Sequence, residues 1–183
     1  MTNAAADLLA GLRQDHRNMA ILLRLLRDET ELIAHDKQPD FALLRDIMRY
    51  MTVYSDAMHH PKEDLIYAGL RTLQPSLAEG LEKVETEHEE IAKLGERLQD
   101  DIEAVIAGTE IETERVVGDA NAYMRRLNQH MAWEEEDLFR RADAEIDRIT
   151  IDSSHLSAID PVFGENQEAA FTSLRHTVES DTP

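Results

Sequence analysis

Two short segments repeat one pattern: His59-His60-Pro61-Lys62-Glu63 and His130-Met131-Ala132-Trp133-Glu134 each set a histidine four residues before a glutamate. Positions i and i+4 lie about 40° apart around an α-helix, so each pair points an imidazole and a carboxylate the same way. His16 and His88 supply one further imidazole each from other parts of the chain. Mixed imidazole and carboxylate ligands suit iron or manganese, and the absence of cysteine removes thiolate sites from consideration. Taken singly each feature is weak. A His–Glu pair at this spacing is ordinarily a surface contact of about 0.2–0.5 kcal/mol, and a lone helical histidine is more often exposed or a satisfied core residue.

The elements that carry these residues read as four helices. Ala5 to His35 sets Leu8, Leu12, Met19, Leu22, Leu23 and Leu26 along one face, and Asp40 to Leu73 does so with Leu43, Leu44, Ile47, Met48 and Met51. Ser76 to Ala107 follows through Leu77, Leu81, Val84, Ile91, Leu94 and Leu98, and Glu110 to Ile149 completes the set. Pro39, Gln74-Pro75-Ser76 and Gly108-Thr109 separate them, with Gly108 placed to close a helix. Short connections force antiparallel neighbours, so an all-α, up-down-up-down four-helix bundle is expected over residues 1–149. Residues 150–183 read as a C-terminal tail packing on the bundle, with a turn at Asp160-Pro161-Val162-Phe163-Gly164 and a short extra helix over Glu165 to Glu179. Pro61 falls inside the second helix, where it removes a backbone hydrogen bond and should kink the chain near Ala57.

Counting along the helices raises the status of the six side chains. From His16 down to the end of its helix and back up to His59 are two legs of about 20 residues, or about 30 Å each. From Glu63 to the next turn is about 10 residues and from there to His88 about 12; from His88 to the following turn is about 19 and on to His130 about 20. In an antiparallel bundle His16, His59, Glu63, His88, His130 and Glu134 therefore share one level. Four imidazoles and two carboxylates suit octahedral coordination of two metal ions, with Glu63 and Glu134 bridging. Each imidazole then needs an acceptor for its other nitrogen, for which Asp15, Asp56, Glu85 and Glu87 are near in sequence. His60 with Asp64 forms a competing i, i+4 pair, and Glu135 competes with Glu134. His35, His155 and His176 are read as non-ligands; Tyr123 borders the site or fills the core, and Trp133, Met19, Met48 and Met131 are read as packing.

Composition excludes several function classes. A formal net charge of −19 with no basic patch argues against a nucleic-acid partner. No run approaches the ~20 apolar residues that span a bilayer, and residues 1–7 carry no signal-peptide pattern, so no membrane association is expected and the cytoplasm is the default location.

The sequence resembles the hemerythrin-like HHE cation-binding proteins from about Leu9 to Arg141. The resemblance rests on Asp15-His16-Arg17, His59-His60-Pro61-Lys62-Glu63-Asp64, Glu87-His88 and His130-Met131-Ala132-Trp133-Glu134-Glu135. It implies two iron ions in a carboxylate-bridged, oxo- or hydroxo-bridged centre that binds O2 or a related small molecule, and it favours His59 over His60. Oxygen-carrying members place a second histidine four residues after the third-helix ligand, where this chain has Ala92. The six-ligand pattern looks more like bacterial di-iron proteins of oxidative and nitrosative stress, whose partner is a small diatomic or peroxide ligand. An electron donor of unassigned identity and a homodimer are compatible with it. Competing expectations are iron delivery or storage, including Fe–S cluster repair, a di-iron peroxidase or NO reductase, and a helical interaction module without metal.

Overall fold

The computed structural model describes residues 3–151, apart from the side chains of 54–56, together with 169, 172 and 174. Helix α1 spans Ala4–Ala34, and the Asn3 side chain accepts from the backbone N–H groups of Ala5 and Ala6. That cap satisfies donors that the first turn leaves without partners. Asn3 also donates to the Ile146 carbonyl at 3.0 Å, tying the start of the chain to the end of the fourth bundle helix.

The second bundle helix is α2, Phe41–Tyr54, then a π-turn at Ser55–His59, then α3, His60–Leu73. The π-turn encloses Ala57, where a kink was expected. Pro61 has no N–H to give the Ala57 carbonyl, so the ordinary turn loses its closing bond and a wider one takes its place.

The third helix departs from expectation. Two 3₁₀ turns, Pro75–Ala78 and Leu81–Lys83, occupy the region read as its first turns, and α4 spans Val84–Ile106. Gly80 lies between them at φ 93°, a conformation that a side chain resists, and a β-carbon there would come within 3.1 Å of the Trp133 ring. Leu77 and Leu81 mimic a helical period but pack on the core from these turns. The fourth bundle helix comprises α5, Thr113–Trp133, a second π-turn at Glu134–Leu138, and α6, Phe139–Glu145. It is shorter at both ends than the predicted Glu110 to Ile149, and its π-turn contains neither proline nor glycine.

Around the bundle, the first helix neighbours the second and the fourth, while the third neighbours the second and the fourth. The architecture is the expected four-helix bundle. Its core is divided in two. One apolar cluster contains Met19, Met48, Met51, Met58, Ile91, Tyr123, Leu127 and Met131; the other contains Leu9, Leu12, Ile66, Tyr67, Val84, Leu138 and Phe139. Along the first three bundle helices the boundary falls between Leu12 and Met19, Met58 and Ile66, and Val84 and Ile91; on the fourth, His130 adjoins Met131 at the edge of the first cluster and Glu134 lies between Met131 and Leu138. The six histidines and glutamates occupy that boundary. Leu174 joins the first cluster; the expected turn at Asp160–Gly164 and most of the expected Glu165–Glu179 helix lie outside the described residues. No helix among the described residues is long and apolar enough to cross a membrane.

Candidate metal centre

Two sets of four potential ligands form within the polar layer: His16, His59, Glu63 and Glu134, and His88, His130, Glu63 and Glu134. In each set the donor atoms all lie within 4.8 Å of one another, and both glutamates belong to both sets. His16 Nε2 is 3.2 Å from His59 Nε2 and 3.4 Å from a Glu134 oxygen, while His59 Nε2 is 2.9 Å from Glu63 Oε1. Across the layer, His88 Nε2 and His130 Nε2 are 2.9 Å apart, His88 Nε2 is 3.5 Å from Glu63 Oε2, and His130 Nε2 is 3.3 Å from Glu134 Oε1.

These distances fit cation coordination better than internal hydrogen bonding. Ligands about 2.1 Å from one ion stand roughly 3.0 Å apart in an octahedron and roughly 3.4 Å apart in a tetrahedron. The six edges given above fall around those values, and the His16 Nε2–Glu63 Oε1 edge is longer at 3.9 Å. Glu63 is completely buried, yet both its carboxylate oxygens, and Glu134 Oε2, accept no hydrogen bond of adequate geometry. The nearby nitrogens are close to these oxygens without being aimed at them, as expected for atoms converging on a common centre. Buried carboxylate oxygens without donors are costly, so the residues fit two cations and fit poorly without them.

The electrostatics agree. Burial, then the adjacent Glu134, pushes the Glu63 carboxyl well above the usual range. Burial works the same way on Glu134, but His16, His130 and His59 outweigh it and hold that carboxyl low. Burial, with His60 and His130 beside it, pushes the His88 imidazole down to about 2. A neutral His88 imidazole can offer one ring nitrogen to a cation.

Three of the four imidazoles are held from behind. His16 Nδ1 meets Glu135 Oε1 at 3.1 Å, His59 Nδ1 meets Asp15 Oδ2 at 3.3 Å, and His130 Nδ1 meets Glu87 Oε2 at 2.9 Å. Each of these carboxylates touches a cation in turn: Arg13 on Glu135, Lys62 on Asp15 and Arg126 on Glu87, at 3.4, 3.0 and 3.1 Å. Burial of Asp15 would raise its carboxyl, but His59 and Lys62 hold it below its ordinary value; for Glu87, His130 and Arg126 likewise outweigh burial. Such carboxylates fix ring orientation and increase imidazole basicity.

All six predicted ligands are brought together. His60 and Asp64 are not: the His60 ring stacks on His88, centroids 3.7 Å apart, and Asp64 lines an outer cleft. Of the four acids near in sequence, Asp15 and Glu87 lie behind histidines. Glu85 instead lines the cleft, and the Asp56 side chain is not described. Glu135, weighed as a rival to Glu134, supports His16. His35 sits at a helix end, hydrogen-bonded to the Glu31 carbonyl. Sequence reading missed Tyr67, whose hydroxyl donates to Glu134 Oε1 at 2.7 Å. Its position four residues after Glu63, on the same helix face, was the available signal.

A cleft of about 610 Å³ lined by Asp64, Tyr67, Glu85, His88, Glu89 and Ala92 reaches the layer from outside. A chamber of about 30 Å³ adjoins it, bounded by Met51, Thr52, His60, His88, Ala92 and Tyr123 among others. Tyr123 thus fills the core and also borders the site. No curated protein and no solved structure matches the chain. The model of the hemerythrin HHE cation-binding domain matches residues 7–142, which contain every residue of the layer, and the chain belongs to that family.

Proposed function

We propose that this chain is a non-haem di-iron protein in which His16 and His59 hold one ion, His88 and His130 the other, and Glu63 and Glu134 bridge them. The observation that carries the reading is the sharing of both glutamates by the two ligand sets, with three buried carboxylate oxygens left without hydrogen bonds. Two imidazoles and two carboxylate oxygens per ion suit iron better than the thiolate-rich sites of structural zinc. When bound, the ions supply redox and small-molecule ligand chemistry, which we assign to O2, NO or peroxide in the response to, or sensing of, oxidative or nitrosative stress.

The protein's own part is positioning. The two apolar clusters close the layer on two sides and leave the cleft at His88 as its open side, Tyr67 fixes the orientation of Glu134, and the carboxylates behind His16, His59 and His130 hold three imidazoles in place. Ala92 supports the small-molecule reading, because it leaves the His88 side open to the adjoining chamber. In this reading residues 1–149 form the metal-holding unit and 150–183 a tail upon it.

The test is iron content per chain after anaerobic Fe(II) loading, with absorption between about 300 and 500 nm before and after air. Two irons with bands that respond to air are expected. Absent metal, or a single zinc, would overturn the proposal.

A further inference from the structure

The four imidazoles are not held alike. His16, His59 and His130 each have a cation-backed carboxylate at Nδ1. Among the described residues the His88 ring has a hydrogen-bond partner at Nε2, in His130, and none at Nδ1. The His60 ring instead lies over His88 at 3.7 Å between centroids, the planes inclined by 12°. His88 is also the most accessible of the four, its side chain 15% exposed against 6% or less for the others. Its ring lines both the outer cleft and the small chamber.

A carboxylate behind a metal-bound imidazole does two things: it pins the ring in the ligating orientation and makes the coordinating nitrogen a stronger donor. Ring stacking can do the first but supplies none of the charge needed for the second. Open water beside His88 further favours replacement of its nitrogen by solvent or by a competing ligand. Position 92, one helical turn beyond His88, offers no side-chain donor to compensate, because it is alanine.

We infer that the two ion positions are inequivalent: the one at His88 and His130 is the exchangeable position, emptied first, and His60 is a positioning residue that keeps His88 in ligating orientation by stacking. This rests on the di-iron reading. It adds which ion leaves, by which ligand, and which residue controls the rate.

The experiment is release of Fe(II) from anaerobically loaded protein into excess chromogenic ferrous chelator, followed by stopped-flow absorption. The wild type should lose one ion roughly 10–100-fold faster than the other, the range attached to loss of one such supporting contact. His88→Ala should retain one slowly released ion, whereas His16→Ala should abolish the slow phase. His60→Ala should accelerate only the fast phase, and His60→Phe, which keeps a ring over His88, should restore it. That rescue separates stacking from a general effect on folding. Release of both ions in one phase, or a slow ion lost on removing His88, would overturn the inequivalence. A fast phase indifferent to His60→Ala would overturn the role of His60. A wild-type chain that takes up no iron would overturn the underlying reading as well; two irons released together would overturn this inference alone.

Discussion

Replacing Glu63 by glutamine should move the metal-free and iron-loaded proteins in opposite directions. In the metal-free chain the Glu63 carboxyl is fully buried, faces Glu134 and accepts no hydrogen bond. Glutamine carries no charge and its amide can donate to Glu134, giving a partner to an oxygen left without one, which is worth about 1–3 kcal/mol. For a chain of this size that corresponds to a Tm increase of roughly 2–12 °C. The sign of the pH dependence follows from the same shift. Because the folded carboxyl titrates above its ordinary 4.5, its contribution is complete below that value and is lost as pH rises through the folded pKa. Glu63→Gln should flatten that decline. In the loaded protein the same substitution removes a bridging carboxylate. Free iron at about a thousand times its Kd adds about 4 kcal/mol to a native state that binds it, or roughly 8–16 °C; the variant should gain little of this. Scanning calorimetry of both proteins, with and without anaerobic Fe(II), reads all four values. A variant less stable than wild type without metal, or one that keeps the full gain from iron, would refute the reasoning.

Asp15→Asn, Glu87→Gln and Glu135→Gln should each weaken iron binding by about 10–100-fold in chelator competition, with two sites still fillable at high iron. Asp15 also predicts a pH effect of the opposite sign to Glu63. Its folded carboxyl lies below the ordinary 3.8, so its stabilisation is present above that value and is lost as pH falls through the folded pKa; the acid-denaturation curve of Asp15→Asn should lack that segment. Tyr67→Phe should cost about 1.5–3 kcal/mol in thermal unfolding, the range for a hydrogen bond to a charged group, while iron stoichiometry stays at two. Ala92→Leu should fill the chamber beside His88: overpacking of about 1–3 kcal/mol would appear as roughly 5–150-fold weaker azide binding to the loaded protein, measured by absorption titration.

The common level of the six candidate ligands was legible in the sequence because helix length converts residue count into height, and errors at helix ends cancel when short turns link antiparallel neighbours. The third helix illustrates this. Its α-helical part begins at Val84 rather than Ser76, yet the 3₁₀ turns before it still climb, and His88 reaches the layer. The π-turn at Ser55–His59 was foreshadowed by Pro61. The one at Glu134–Leu138 was not, since nothing in Glu134-Glu135-Glu136-Asp137-Leu138 breaks a helix. Glu135 was weighed as a rival ligand because it adjoins Glu134 in the sequence. An acidic residue adjacent to Glu134 is expected to point some 100° away, and only the folded chain reveals that it meets His16 from behind. The stacking of His60 on His88 was equally invisible, because it joins two helices through side-chain directions that periodicity does not encode. Cations behind the carboxylates were lost among the ordinary surface charges of an acidic chain.

The central claim is that two ions share Glu63 and Glu134. A crystal structure of iron-loaded protein, with anomalous difference maps collected on both sides of the iron edge, tests it most directly. Two iron peaks are expected about 3.5–4 Å apart, one against His16 and His59 and the other against His88 and His130, with both glutamates touching both. A single peak, or density outside the layer between the two apolar clusters, would contradict the account.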